Sequence, residues 1–224
     1  MMNAWSPATL RRTGQALLVG SLLVSSMAQA HPHGWIDMSV RVITNDVGAV
    51  TGLHQTWRMD PFYSLVVMEE LQQVPGTSLE QGLDQLGSEI RDNLTPQHYF
   101  TEVRIGEEPQ TFGEVTEYTA LARDGRLTFM FILPLATPQA LSGQVLEYQV
   151  FDPTYYIEMV HEEEDNEPSP RALILNGDPD CALSVLPADP DPERVMQAAL
   201  LDVDEEGEPG LGRHFAETGR VDCR

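Results

Sequence analysis

From Trp35 to Ile43 the side chains alternate with period two, and this constrains the fold more than any other stretch. Ile36, Met38, Val40 and Val42 fall on one face; Trp35, Asp37, Ser39, Arg41 and Ile43 fall on the other. Such alternation is the mark of a strand with one buried side. Asn45-Asp46-Val47-Gly48 is turn-like, and a second strand is predicted from Ala49 to Met59 with Val50, Leu53 and Trp57 as anchors. The two read as a β-hairpin.

The pattern then changes to a helical period. Asp60 reads as an N-cap and Pro61 as the first helical residue. Phe62, Leu65, Val66, Met68 and Leu71 carry the period to Val74, where Pro75-Gly76 breaks it. Ser78 with Gln81 is a capping box. It opens a second helix to about Asn93, with Leu79, Leu83, Leu86 and Ile90 on one face and Thr95-Pro96 at its end. Strands are predicted at about 99–105, 112–122, 126–133 and 144–151, with Asp124-Gly125 as a hairpin turn. Shorter ones follow near 155–160, 171–176 and 181–186. Residues 162–167 read as an acidic loop, Glu193 to about Val203 as a short C-terminal helix, and Thr218–Cys223 as a last strand. The fold class is α+β, mainly β: an antiparallel β-sandwich with a two-helix insertion at about 61–95.

The first thirty residues read as a signal peptide. Arg11 and Arg12 precede an apolar run from Ala16 to Val24, and Ala28-Gln29-Ala30 is a small-residue cleavage site. The run is too short to span a bilayer, which takes about 20 residues. Cleavage after Ala30 would release a periplasmic chain of a single domain, 31–224, that does not cross the membrane. Removing the leader takes away two arginines and no acid, so the formal charge moves from −22 to −24. Lysine is absent throughout. A chain this acidic is not drawn to nucleic acid or to an anionic membrane by general electrostatics. Cys181 and Cys223 form an even pair, which in an oxidising compartment reads as one disulfide.

Processing at Ala30 would make His31 the first residue. A terminal histidine offers its α-amine and imidazole to one cation. Their ordinary pKa values of about 7.7–8.0 and 6.5 leave both available near neutral pH. His33 adds a third nitrogen and Asp37 an oxygen. Pro32 has no N–H to lose, which disfavours the copper site that uses a deprotonated second amide. Nitrogen-rich sites suit nickel, cobalt, zinc and copper, with copper at the top of the affinity order. His54, on the strand that pairs with the first, is expected to approach His31 and His33. The candidate metal ligands are therefore His31, His33, His54 and Asp37. His98 and His161 read as surface residues.

Phe151-Asp152-Pro153-Thr154-Tyr155-Tyr156 reads as a structural corner, since Asp-Pro starts a turn. The functional alternative puts Asp152 or Tyr155 on the wall of a ligand pocket. No nucleophile elbow, HExxH helix, Walker loop or dinucleotide fingerprint is present, so an enzyme is not expected. The alternative to a metal-binding role is a non-metal periplasmic interaction module of a transport system. A minor alternative is a copper enzyme built on the terminal histidine.

Three stretches together resemble one bacterial family: His31-Pro32-His33 with Trp35-Ile36-Asp37, His54-Gln55-Thr56-Trp57 leading to Asp60-Pro61-Phe62-Tyr63-Ser64, and Asp152-Pro153-Thr154-Tyr155-Tyr156. The family is labelled "ABC-type uncharacterised transport system, periplasmic component", a domain of unknown function. The resemblance runs from His31 to about Cys223. It implies a role in divalent-metal handling beside a nickel/cobalt-type inner-membrane permease. Many members carry a calcium-loop-like acidic run in the helical insertion. Here that place reads Val74-Pro75-Gly76-Thr77-Ser78-Leu79-Glu80, without such a ligand series.

Overall fold

The computed structural model describes residues 32–177, 180–202 and 205–224. The stretch expected to be a signal peptide, and His31, lie outside them. Strand β1 (Gly34–Thr44) turns through Asn45 into β2 (Ala49–Met59). The Asn45 side chain accepts from the N–H groups of Val47 and Ala49, and Gly48 takes the positive φ, 75°, that the turn requires. Helix α1 (Pro61–Gln73) starts as expected, with Asp60 Oδ1 accepting from Phe62 and Tyr63 N–H. Helix α2 (Leu79–Leu94) carries the full capping box of Ser78 and Gln81. A 3₁₀ turn at Thr95–Phe100 leads to β3 (Thr101–Ile105) and the short β4 (Glu108–Pro109). Then come β5 (Tyr118–Arg123), β6 (Arg126–Ala140), β7 (Val145–Val150) and β8 (Ile157–His161).

The expected acidic loop is a miniature hairpin, β9 (Glu163–Glu164) with β10 (Glu167–Pro168). Asp165 and Asn166 at its tip adopt φ 55° and 64°, a conformation that suits these two residue types. Strands β11 (Leu173–Asn176) and β12 (Ala182–Leu186), helix α3 (Pro192–Ala199) and strand β13 (Thr218–Asp222) complete the chain. Helix α3 stops short of Val203 because Leu200 already closes its C-terminus.

Two sheets result. One has the order β11-β1-β2-β6-β5, with β8 also on β1; the other runs β12-β13-β7-β3-β4. All pairs in the second are antiparallel. The first departs from the purely antiparallel expectation at one edge. There β8 pairs with residues 34–38 of β1 and β11 with residues 40–43, both parallel. Parallel partners need long crossovers. The excursion through the second sheet between β1 and β8 supplies one.

The predicted alternation is met: Ile36, Met38, Val40 and Val42 of β1 are buried. They join Trp57, Phe129 and Phe131 of the first sheet and Val103, Leu146, Tyr148, Val150 and Val221 of the second in one core. Trp57 stands edge-on to Phe131, with ring centroids 5.1 Å apart. Its indole N–H donates to Gln55 Oε1, and Gln55 Nε2 donates to Thr101 Oγ1, each at 2.9 Å. A fully buried glutamine is tolerated because both ends of its amide are bonded. Cys181 and Cys223 form the expected disulfide between the start of β12 and the end of β13. Among the described residues no helix is long and apolar enough to cross a membrane.

Candidate functional site

The chain enters the fold at His33. Its backbone N–H donates to the Tyr156 carbonyl at 2.9 Å, just ahead of the β1–β8 ladder. Its ring stacks on that of Tyr156, centroids 4.3 Å apart. On the other side, Asp60 N–H donates to the Trp35 carbonyl at 3.0 Å, which ties the start of α1 to the same corner. Asp60 Oδ1 caps α1, while Oδ2 lies against Gly34, where a Cβ would stand 2.8 Å from it. A carboxylate oxygen and an anchored imidazole therefore flank the first residues of β1. Sequence reasoning gave Asp60 a capping role alone. Its place beside residue 34 comes from the β1–β2 register, which pairs Ile36 with Met59.

Tyr156 is held by the aspartate corner. Both Asp152 oxygens are engaged: Oδ1 accepts from Thr154 N–H and Oγ1 at 2.9 Å, and Oδ2 from the N–H groups of Tyr156 and Ile157 at 3.1 Å. Tyr155, at φ 58°, turns inward and stacks on Phe215 at 4.1 Å, beside Ala198 and Leu211. The Asp152 bonds lie within the corner, whereas Tyr155 packs on the segment around α3 and Phe215. The opening His-x-His motif and the Asp-Pro-Thr-Tyr-Tyr motif, some 120 residues apart in sequence, meet in space.

Two of the candidate ligands are not brought to this tip. His54 pairs with Arg41 across the hairpin, eight residues along β1 from His33, which is roughly 26 Å of strand at about 3.3 Å per residue. The expectation that the hairpin would draw His54 toward His33 is thus corrected by the register: antiparallel pairing sets Met59, not His54, near the start of β1. Partial burial, then the Arg41 charge, push the His54 imidazole below its ordinary pKa. Asp37 is taken by guanidinium groups, at 2.5 Å from Arg126 Nη1 and 3.5 Å from Arg58 Nη2. Arg126 is in turn fixed by the carbonyls of Met59 and Arg58. His31 lies outside the described residues. Among those residues no group of three or more His, Cys, Asp or Glu side chains is arranged to hold a metal ion.

A buried relay escaped the sequence reading. His161, expected at the surface, is almost completely enclosed. Its Nε2 lies 2.7 Å from Tyr148 Oη and its Nδ1 2.9 Å from Glu217 Oε2, which also accepts the His161 backbone N–H. A carboxylate accepts, so Nδ1 carries the hydrogen; in the neutral ring Nε2 then accepts from the Tyr148 hydroxyl. Burial, and then the Glu217 charge, hold the Tyr148 hydroxyl well above its ordinary pKa. The signal was present: Ile157, Met159 and His161 alternate, and Met159 is core. Glu158 lies opposite Trp35 on β1. Its carboxyl pKa is raised, first by burial and then by Glu217, while the Tyr155 hydroxyl bonds it.

Residues 16–223 match the family described as "Protein of unknown function (DUF1007)". A Haemophilus influenzae protein named "Uncharacterized protein" is 26% identical over 217 residues, covering 93% of this chain and 98% of that one. An "Uncharacterized 15.5 kDa protein in trpE 3'region" of Spirochaeta aurantia is 33% identical over 88 residues, 37% of this chain and 55% of its own. AChBP from Bulinus truncatus aligns at 8% identity over 84% of this chain and 85% of its own, with a TM-score of 0.29, too slight a likeness to place the fold. An uncharacterised family is what the motifs implied; a transport label is not part of these names.

Proposed function

The chain belongs to the DUF1007 family, whose description assigns no activity, and from its own residues we propose a periplasmic accessory protein that binds a divalent transition metal at its N-terminal tip. The metal is nickel, cobalt, zinc or copper, and the protein works with an inner-membrane metal permease. On this reading it binds and delivers, and is not an enzyme. The observation that carries the reading is the anchoring of His33 against Tyr156 at the start of β1. An ordered imidazole stands two residues from a histidine that export would make terminal. Asp60 Oδ2 beside Gly34 supplies the oxygen first sought in Asp37. Preorganised donors bind more tightly than floppy ones because less freedom is lost.

The test is calorimetric titration of the chain starting at His31 with Ni(II), Co(II), Cu(II) and Zn(II). A version carrying Gly-Ser ahead of His31, and His33→Ala, serve as comparisons. Both are expected to weaken binding at least about ten-fold, or about 1.4 kcal/mol. Equal affinity with and without the extension removes the terminal amine from the site. Processing after any residue other than Ala30, read by mass spectrometry of the exported protein, removes its premise.

A second reading, a non-metal interaction module of a transport assembly, is favoured by α1. Phe62 is 76% exposed and Leu65 51% exposed on that helix, with Val66 beside them. A melting temperature unmoved by every metal would favour it, since a ligand that binds only the folded state raises stability.

A further inference from the structure

Helix α1 is apolar on two sides, and the fold uses one of them. Ser64, Val67 and Leu71 form the inward stripe. Ser64 is buried, its Oγ accepting from Leu127 N–H at 3.0 Å, and Val67 and Leu71 pack on the core. Leu71 also lies against Gly82 of α2, where a Cβ would stand 3.1 Å from Leu71 Cδ2. On the other side Phe62, Leu65 and Val66 are exposed, with Tyr63 beside them. Their i, i+3, i+4 spacing puts the first three on one helix face. Among the described residues these four side chains join neither core cluster. From Pro61 to Met68 no residue is charged. A helix that is apolar all round is ordinarily enclosed, and a contiguous apolar patch at a surface marks a contact site.

Charge decides what covers it. The outer stripe continues into Glu69, four residues past Leu65, and Glu70, four past Val66, both exposed. Between Arg58 and Arg91 the chain carries Asp60, Glu69, Glu70, Glu80, Asp84 and Glu89 and not one basic residue. The patch is therefore apolar with an acidic border. An anionic lipid surface attracts lysine and arginine and repels such a border. A second copy of the chain would set the same carboxylates against each other, and like charges opposed across an interface suppress pairing. The helix also has no spare backbone groups along its side, since its N–H and C=O groups bond internally. An extended segment laid on it would lose water from its peptide groups without gaining partners, whereas a helix arrives with its backbone bonds closed.

We infer that the outer face of α1 docks an amphipathic helix of another protein, one whose apolar stripe is bordered by lysine or arginine. The inference rests on the interaction-module reading of α1 and names the chemistry of what that face takes. Apolar anchors at i, i+3, i+4 and i+7 of the incoming helix meet Phe62, Leu65 and Val66. Its basic border meets Glu69 and Glu70. The apolar contact supplies affinity; the charges set orientation and exclude acidic partners.

The test is fluorescence anisotropy of labelled synthetic helices added to the metal-free chain from His31. Three peptides share one leucine stripe and differ in its border, which is lysine, glutamine or glutamate. A fourth has the composition of the lysine peptide with the stripe scrambled. The lysine-bordered helix is expected to bind saturably, at least about ten-fold more tightly than the other three. Leu65→Ser and, separately, Glu69→Gln with Glu70→Gln are each expected to weaken it at least about five-fold. Glu107→Gln with Glu108→Gln, exposed on the second sheet, removes the same charge and leaves binding unchanged. Melting curves establish that each variant is folded. Equal binding of the lysine- and glutamine-bordered helices overturns the basic partner while keeping α1 as an interaction face. Binding by none of the peptides, or binding that Leu65→Ser leaves intact, removes the interaction reading of α1 as well. Equal binding of the scrambled peptide reduces the effect to bulk charge and overturns the inference. Self-association in sedimentation, or flotation with phosphatidylcholine–phosphatidylglycerol vesicles, abolished by Leu65→Ser, gives the face to a second copy or to a membrane and likewise overturns it. Because metal is absent throughout, the outcome is independent of the histidine tip.

Discussion

Tyr148 Oη and His161 Nε2 lie 2.7 Å apart in the core, and this contact joins β7 of one sheet to β8 of the other. Tyr148→Phe removes the donor and leaves Nε2 buried without its partner. A buried unsatisfied group costs roughly 1–3 kcal/mol. His161→Ala strands both Tyr148 and Glu217 and opens a cavity, so its cost is larger, about 3–5 kcal/mol. Urea unfolding of both singles and the double variant measures the coupling. A double variant equal to the sum of the singles would show that the hydrogen bond contributes nothing of its own.

Gly219 makes the same point from the opposite side of the ring. A Cβ there would stand 2.1 Å from Tyr148 Cζ and 2.4 Å from its hydroxyl. Gly219→Ala must therefore displace a fully buried tyrosine and break its bond to His161. Overpacking of this kind costs typically 1–3 kcal/mol, with the lost hydrogen bond added. Thermal melting checks it. If the variant melts like the wild type, Tyr148 has room to move and the relay is looser than its geometry.

The disulfide closes a loop with a sequence separation of 42 residues, which the chain-entropy model values at about 4 kcal/mol. It locks the ends of two strands that already pair, Ala182 with Asp222. The double variant Cys181→Ser, Cys223→Ser is expected to lower the melting temperature by about 10 °C, taking roughly 2–4 °C per kcal/mol for a chain of this size. Reduction of the wild type with dithiothreitol is expected to produce the same shift. A shift from the double substitution without one from reduction would locate the effect in packing.

The elements that local rules govern were legible in the sequence: the alternation of β1, the Asp60 and Ser78 caps, the Asp124-Gly125 turn and the cysteine pair. Each is set by neighbours within a few residues, or by the scarcity of cysteines. The parallel placement of β8 and β11 on β1 was not legible, because crossover topology leaves no period in the strands themselves. His54 illustrates the same limit at the site. Its strand and its facing were readable, but its distance from His33 depends on register, and register is fixed by packing. The meeting of His33 with Tyr156 is also a long-range fact. His161 carries conflicting local signals: the acidic run after it points to the surface, while its parity with Met159 points inward, and the core wins.

Asp152 distinguishes a corner from a pocket wall. Its carboxylate takes three backbone N–H groups and one hydroxyl, so Asp152→Ala leaves several donors without an acceptor. The expected loss is about 2–4 kcal/mol, summing charge-assisted bonds at roughly 1.5–3 kcal/mol each with partial rescue by water. Because Tyr156 is bonded to Asp152, the same variant is expected to loosen the His33 stack and weaken metal binding at the tip. Full stability with altered binding would instead assign Asp152 to a ligand.

Glu158 gives stability a pH dependence of defined sign. Its folded-state pKa is raised above the ordinary 4.5 by burial and by the Glu217 charge. The folded chain therefore binds this proton more tightly than the unfolded chain does. The favourable contribution is present in full below the ordinary value and is lost as pH rises through the raised one. At neutral pH the carboxylate is a net burden on the fold. Glu158→Gln keeps an acceptor for Tyr155 and removes the charge. It is expected to raise the melting temperature by a few degrees at about pH 7.5, with the gain fading toward about pH 4. A variant no more stable than the wild type at neutral pH would mean that solvent screening has already relieved the Glu217 repulsion.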